Sequence, residues 1–249
     1  MTGADIVVQV LADEGVDTIF GYSGGAILPT YDAVFRYNDT HKDENGEAPM
    51  PLIVPANEQG AGFMAAGYAR ASGKVGVVMV TSGPGATNTV TPVRDCMADS
   101  VPIVVICGQV PTAAIGTDAF QEAPVAALMG AVAKHVFLVT DAEKLEETVR
   151  SAFELARTGR PGPVVVDIPK DIQNWQGPFK GSGTLPLHGY RRRLAAVVHL
   201  GAATDADDQH TLADLLDMLE GDRLEPVDAD MYAVAVVASR NLEILAARR

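Results

Sequence analysis

The chain of 249 residues is 47% hydrophobic, 20% charged and 6% aromatic, with 24 Gly and 15 Pro. That apolar fraction excludes a disordered polymer, the scattered Gly and Pro exclude a collagen repeat, and no uncharged apolar run approaches the roughly 18 residues of a membrane span. A net charge of −13 leaves no basic excess to neutralise phosphates, so neither nucleic acid nor a membrane is an expected partner.

The first element predicted is a helix over Ala4 to Glu14, where Ile6, Val7, Val10 and Leu11 recur at helical spacing and Gly15 ends the run. Acids inside this stretch, and no basic leader, do not read as a secretory signal, and a cytoplasmic location is the expectation. A strand follows at Thr18-Ile19-Phe20, then the turn Gly21-Tyr22-Ser23-Gly24-Gly25 and a helix from about Ile27 to Arg36. The polar stretch Asn38 to Pro51 reads as a surface loop.

The pattern repeats with a strand at 52–54, an Ala- and Gly-rich helix over Gln59 to Ala71, and an apolar strand over Gly76 to Val80. That strand runs into Thr81-Ser82-Gly83-Pro84-Gly85-Ala86-Thr87-Asn88, and a helix continues to about Ala98. Pro102 to Cys107 is a strand and Gln109 to Glu122 a long loop. Val136 to Val139, Ala142 to Arg157 and Pro163 to Ile168 read as strand, amphipathic helix and strand. Nearly uninterrupted apolar strands alternating with helices indicate an α/β fold whose parallel sheet is covered on both faces. In such sheets ligands sit beyond the carboxyl ends of the strands. Segments 21–25, 55–58, 81–88 and 109–122 are therefore the candidate ligand-binding turns.

The organisation expected is a sheet domain over 1–172, a Gly- and Pro-rich linker over 173–194, and an unassigned, partly disordered acidic tail over 195–249. The tail holds 11 of the 32 acids and only 4 of the 19 bases. It offers one helix, Thr211 to Leu219, and one apolar run, Tyr232 to Ala238, too little for an independent core.

Several residue types bear on chemistry. Glu58 follows the 52–54 strand and opens a helix of small residues. A carboxyl there, partly dry, could share a proton, although it is equally a helix-start acid favoured by the helix dipole. The segment 82–88 lies where a phosphate cradle would, yet it is neither a GxGxxG nor a P-loop sequence and serves equally as a tight turn. Cys96 and Cys107 read as buried free thiols, and the five histidines show no metal-ligand spacing, so no metal site is expected within the chain. Lys134 beside His135, and the run Arg191 to Arg193, read as surface charge.

Taken together, Gly21-Tyr22-Ser23-Gly24-Gly25-Ala26, Asn57-Glu58-Gln59-Gly60-Ala61, Gly67-Tyr68-Ala69-Arg70, Thr81 to Asn88, Gly108-Gln109-Val110-Pro111, Ile115 to Glu122 and Gly159 to Val164 closely resemble the acetolactate synthase catalytic subunit over about 1–193. The resemblance is to that thiamine-diphosphate enzyme's N-terminal pyrimidine-binding domain. It implies that Glu58 bonds the aminopyrimidine ring and promotes loss of the thiazolium proton. It also implies that Tyr22, Gly24, Gly25, Thr81, Pro84, Asn88 and Gln121 flank the aminopyrimidine. Gly116, Phe120 and Gln121 would lie near the reacting carbon, Lys170 near the substrate channel, and Arg160 against a non-redox FAD. Ser23 departs from the proline expected in the first turn. The implied reaction decarboxylates pyruvate and joins the two-carbon unit to a second pyruvate or to 2-oxobutyrate, in branched-chain amino-acid biosynthesis. The implied partners are a second subunit or a complementing diphosphate-domain chain, and a small regulatory subunit.

The family's Gly-Asp-Gly motif, which holds Mg²⁺ and through it the diphosphate, is absent from the sequence. The resemblance therefore implies half an active site, with the C-terminal part missing. Two other readings stay open: the pyrimidine-domain chain of another split thiamine-diphosphate decarboxylase or carboligase, and a non-catalytic interaction protein.

Overall fold

In a computed structural model, the structure describes residues 1–181 together with positions 185, 187, 190, 191 and 194. The chain divides into one compact unit over Met1–Leu187 and a second over His188–Arg249. The helix and apolar run expected at 211–219 and 232–238 lie outside the described residues, as do Arg192 and Arg193.

The first unit is a six-stranded, wholly parallel sheet in the order β2-β1-β3-β4-β6-β5. Its strands are β1 (Ile19–Tyr22), β2 (Leu52–Ile53), β3 (Gly76–Val80), β4 (Ile103–Gln109), β5 (His135–Leu138) and β6 (Val164–Pro169). β3, β4 and β6 are buried at every position, because their apolar runs serve both faces of the sheet at once.

One face carries Val78, Val80, Val105, Cys107 and Val165. It packs against α3 (Glu58–Ser72), α5 (Val90–Asp99) and α6 (Val125–Gly130) through Ala61, Ala65, Ala69, Val93, Cys96, Val125 and Met129. The alanines of α3 let that helix lie close against the strands. Burial pushes the Cys96 thiol up to about 12 and the Cys107 thiol well above its ordinary range, which leaves both as inert packing groups. The remaining long helices are α1 (Gly3–Asp13), α2 (Leu28–Thr40) and α7 (Leu145–Arg157). They bury Ile6, Val7, Leu11, Val34, Leu145, Val149 and Phe153.

The parallel strands and most helices stand where the apolar periodicity puts them, and several details differ. The helix expected up to residue 98 is two helices, α4 (Pro84–Asn88) and α5, with Thr89 between them donating its hydroxyl back to the Ala86 carbonyl. The surface loop read from Asn38 begins later, because Asn38 belongs to α2 and its buried amide bonds both the N–H and the carbonyl of Met50. Lys134 is not a free surface charge: its ammonium reaches the Thr158 carbonyl at 2.7 Å beyond the end of α7, and burial lowers its pKa to about 8.

The segment read as linker from 173 starts inside α8 (Lys170–Asn174), where Gln173 is fully buried. Just beyond, Gly3 N–H donates to the Trp175 carbonyl at 2.7 Å, Thr2 and Gln176 form an antiparallel bridge, and Gly177 and Met1 exchange two bonds of 3.0 Å. The backbone polar groups of this stretch find partners on the N-terminal segment, which is why Gly and Pro content alone misjudges it.

Candidate functional site

The strand order places the reversal of chain direction at β1: the chain steps to β2 on one side, then crosses to β3 on the other. Such a switch point opens a crevice beyond the carboxyl ends of the flanking strands. Three of the turns singled out in the sequence converge there. Tyr22 closes β1 and is partly exposed, with Gly24 and Gly25 just beyond. A Cβ at Gly24 would collide with the Thr81 side chain, so glycine permits the close approach of the two turns. The Thr81 hydroxyl oxygen accepts from Ala26 N–H at 3.1 Å and locks them together.

Glu58 arrives from the third turn as the first residue of α3, whose N-terminus is capped by the Asn57 side chain accepting from Gly60 N–H at 2.8 Å. The helix dipole accounts for an acid at this position and not for its burial, which leaves 8% of the residue exposed. Asn88, at the end of α4, donates its amide to Glu58 Oε2 at 2.8 Å. Among the described residues none donates to Oε1, which faces the space beside Gly85; a Cβ there would stand 3.6 Å from it. The Tyr31 hydroxyl donates to the Met79 carbonyl, and burial, reinforced by the Glu58 charge, raises its pKa. A recessed carboxyl with one oxygen held and the other without a donor among the described residues suits a ligand that presents an N–H or a protonated ring nitrogen. The donor chemistry and cradle thus fit the aminopyrimidine of thiamine diphosphate.

The fourth turn meets the others at Gln121. Gln121 packs its backbone against Gly83, whose φ of 53° and lack of a Cβ the contact requires. Pro84 opens α4 at the surface, and Phe120 is 88% exposed. Gly116 has φ 83° and donates its N–H to the Glu122 carboxylate, which also accepts from Ala119 N–H at 3.1 Å. Lys170 follows β6 at the same sheet edge as the first residue of α8. Arg160 stands apart. It precedes β6, at the opposite sheet edge, and its guanidinium bonds Ser100 Oγ at 2.9 Å and the Met97 and Ala98 carbonyls at the end of α5.

Two buried polar residues lie on neighbouring strands, Gln109, which belongs to a motif segment but was assigned no role, and Asp167, which belongs to none. Asp167 Oδ2 accepts from Gln109 Nε2 at 2.9 Å, and its Oδ1 is buried without a partner. Burial lifts its pKa to about 7 against the lowering effect of the Gln109 bond. The signal that reveals it is a single Asp inside an otherwise apolar strand of a sheet covered on both faces. Among the described residues no group of three or more His, Cys, Asp or Glu could hold a metal ion, and no helix is long and apolar enough to cross a membrane.

Comparison with known proteins agrees with this geometry. The chain is 50% identical over 188 residues, 75% of its length, to the mitochondrial acetolactate synthase catalytic subunit of Saccharomyces cerevisiae. It is 53% identical over 171 residues, 69% of its length, to that of Aspergillus candidus. To the acetolactate synthase large subunit of Corynebacterium glutamicum it is 46% identical over 191 residues, 77% of its length. The matched part spans about a quarter of each relative, at 26%, 23% and 29% of their lengths. Residues 1–129 match the model of the thiamine pyrophosphate enzyme, N-terminal TPP binding domain. A parallel sheet whose switch point gathers a buried glutamate, its Asn88 partner and the Gly24 and Thr81 turns is thus accounted for by descent: the chain belongs to the thiamine pyrophosphate enzyme family, as its N-terminal TPP-binding domain.

Proposed function

We propose that this chain is the N-terminal part of an acetolactate synthase catalytic subunit and supplies the aminopyrimidine side of its active site. The observation that carries the reading is Glu58: a carboxyl recessed at the switch point, fixed through Oε2 by Asn88 and open at Oε1. When bound, thiamine diphosphate supplies a nucleophilic carbon that adds to a 2-oxo acid and lets it lose carbon dioxide. Glu58 Oε1 would face the ring nitrogen of the aminopyrimidine and would hold or pass a proton there. Asn88 holds one oxygen of the carboxyl, and Thr81 and Gly24 hold the turn against which the ring would lie. Tyr22, Gly25 and Pro84 complete that wall. Gly116, Phe120 and Gln121 bound the space for pyruvate and for the second 2-oxo acid, pyruvate or 2-oxobutyrate. Lys170 offers a cation to their carboxylates.

Mg²⁺ and FAD belong to the same reading of the complete enzyme. No residue set described in this chain makes a cation site, and the Arg160 guanidinium is engaged on α5, so no step is assigned to either group here. The partners in this reading are a second copy or a chain with the remaining domains, and a regulatory subunit. Ile53, Val54, Phe63 and Met64, all apolar and 39–56% exposed, support an associating face. They equally favour the second reading, a non-catalytic interaction protein.

The purified chain mixed with thiamine diphosphate, Mg²⁺, FAD and pyruvate is expected to form almost no acetolactate alone and to form it when a chain supplying the remaining domains is added. Replacement Glu58→Gln should remove the restored activity. Absence of acetolactate from the complemented mixture, or an undiminished rate in the variant, overturns the reading.

A further inference from the structure

The loop that joins β4 to α6 carries Gly116, Phe120 and Gln121, and it is an unfavourable piece of backbone. Asp118 and Gln121 hold φ of 57° and 59°, a region that residues with a Cβ avoid, and Phe120 between them has no apolar cover. Such a conformation persists only if its surroundings impose it. The Glu122 carboxylate ties the loop to itself through Gly116 and Ala119, and the exposed Asp171 carboxylate holds Thr112 N–H at 2.9 Å.

A further attachment comes from a buried side chain, Gln109, 2% exposed. Its Oε1 accepts from Val110 N–H at 2.8 Å, and its Nε2 donates to the Ala123 carbonyl at 3.2 Å. A single side-chain amide therefore grips both ends of the loop. An amide can be turned end for end with little change of shape, and only its neighbours decide which end donates. The Val110 N–H and the Ala123 carbonyl set that orientation, and Asp167, 1% exposed, secures it with a third bond, its Oδ2 accepting from Gln109 Nε2 at 2.9 Å. Burying a carboxyl with Oδ1 unpartnered is unfavourable in itself, so stability does not explain its presence, whereas its hold on Gln109 does.

The geometry assigns Asp167 and Gln109 as a buried pair of positioning residues that hold the 110–124 loop, and with it Gly116, Phe120 and Gln121, against the crevice. The assignment rests on the proposed function for what the loop faces, and not for the anchoring itself.

Hydrogen–deuterium exchange on the full chain tests the anchoring without any need for activity. Gln109→Met keeps length and loses both bonds to the loop; Asp167→Leu removes the third bond, which secures Gln109; Asp167→Asn keeps an acceptor oxygen. Amides of 110–124 should exchange at least about tenfold faster in Gln109→Met and Asp167→Leu, those of α7 should change less than about twofold, and Asp167→Asn should retain protection. Unchanged exchange in 110–124, equal loosening of loop and α7, failure of both Gln109→Met and Asp167→Leu to fold, or an Asp167→Asn as loose as Asp167→Leu would each overturn it. In the complemented enzyme Gln109→Met should lower kcat/KM for pyruvate about tenfold or more. A loosened loop with full activity refutes the role at the site. A wild-type mixture that makes no acetolactate refutes the thiamine reading and leaves the anchor to stand on exchange.

Discussion

Asp167 carries a consequence for stability as well as for the loop. Its carboxyl has an ordinary value of 3.8 and is raised by burial to about 7 in the folded protein. Between those values the native state keeps a proton that the unfolded chain releases, so the native state binds more protons and stability falls as pH rises. The loss is roughly 1.4 kcal/mol per pH unit, beginning near pH 4 and levelling above pH 7. Asp167→Asn, with no proton to lose, should flatten this slope, as urea unfolding at a series of pH values would report; an unchanged slope would show that Asp167 is ionised in the native state. Gly83 is the second residue with a sharp expectation. Its φ of 53° and the Gln121 backbone leave no room for a side chain, so Gly83→Ala should lower stability by about 1–3 kcal/mol. Neither residue was legible as special. Asp167 sits in a Val-rich strand and Gly83 in a Gly-Pro-Gly run, and both acquire their character from strands and loops distant in sequence. Glu58 was legible as a candidate because it combines an acid, a strand end and a run of small residues.

At the scale of elements, α7 does more than cover the sheet. Arg150, buried on that helix, donates to Glu146 Oε1 at 3.1 Å and to Asp13 Oδ2 at 2.6 Å, joining the end of α1 to α7. Glu146 Oε2 in turn accepts from Lys180 N–H at 2.8 Å, and the guanidinium lies over Phe179 at 5.6 Å. Truncating one member leaves a buried charge unpaired. Arg150→Ala should therefore cost about 3–5 kcal/mol, and the double change Arg150→Met with Glu146→Gln should recover much of it, by denaturant titration. Elements with long apolar periodicity were legible for a related reason: a strand buried on both faces is apolar at nearly every position, as at 76–80. The short helices α6 and α8 were not, since five or six residues give too few turns for a period to register, and tertiary packing decides them. The break at Thr89 is likewise invisible to periodicity, because both halves bury residues against the same face.

For the whole molecule, the sheet order could not be read from the strands themselves, although the parallel class could. Alternation of strand and helix dictates crossovers, whereas which side of β1 receives β3 depends on packing between α2, α3 and the strands. The exposed apolar side chains give this scale its own expectation. Replacing Phe63 and Met64 by Ser should leave the thermal midpoint within about 2 °C while weakening association with a second copy or with the complementing chain, as sedimentation would detect. The pairing of Met1 to Gly3 with Trp175 to Gly177 has a different reach. It brings residues 1–3 and 175–177 side by side, so that topologically this stretch of chain is a ring with one gap. Moving the gap to the exposed Asp43–Glu47 turn, whose bonds are all local, while sealing the old one, would preserve strand order and every crossover: the fold stores its identity in the cyclic sequence of elements and is indifferent to which element is made first.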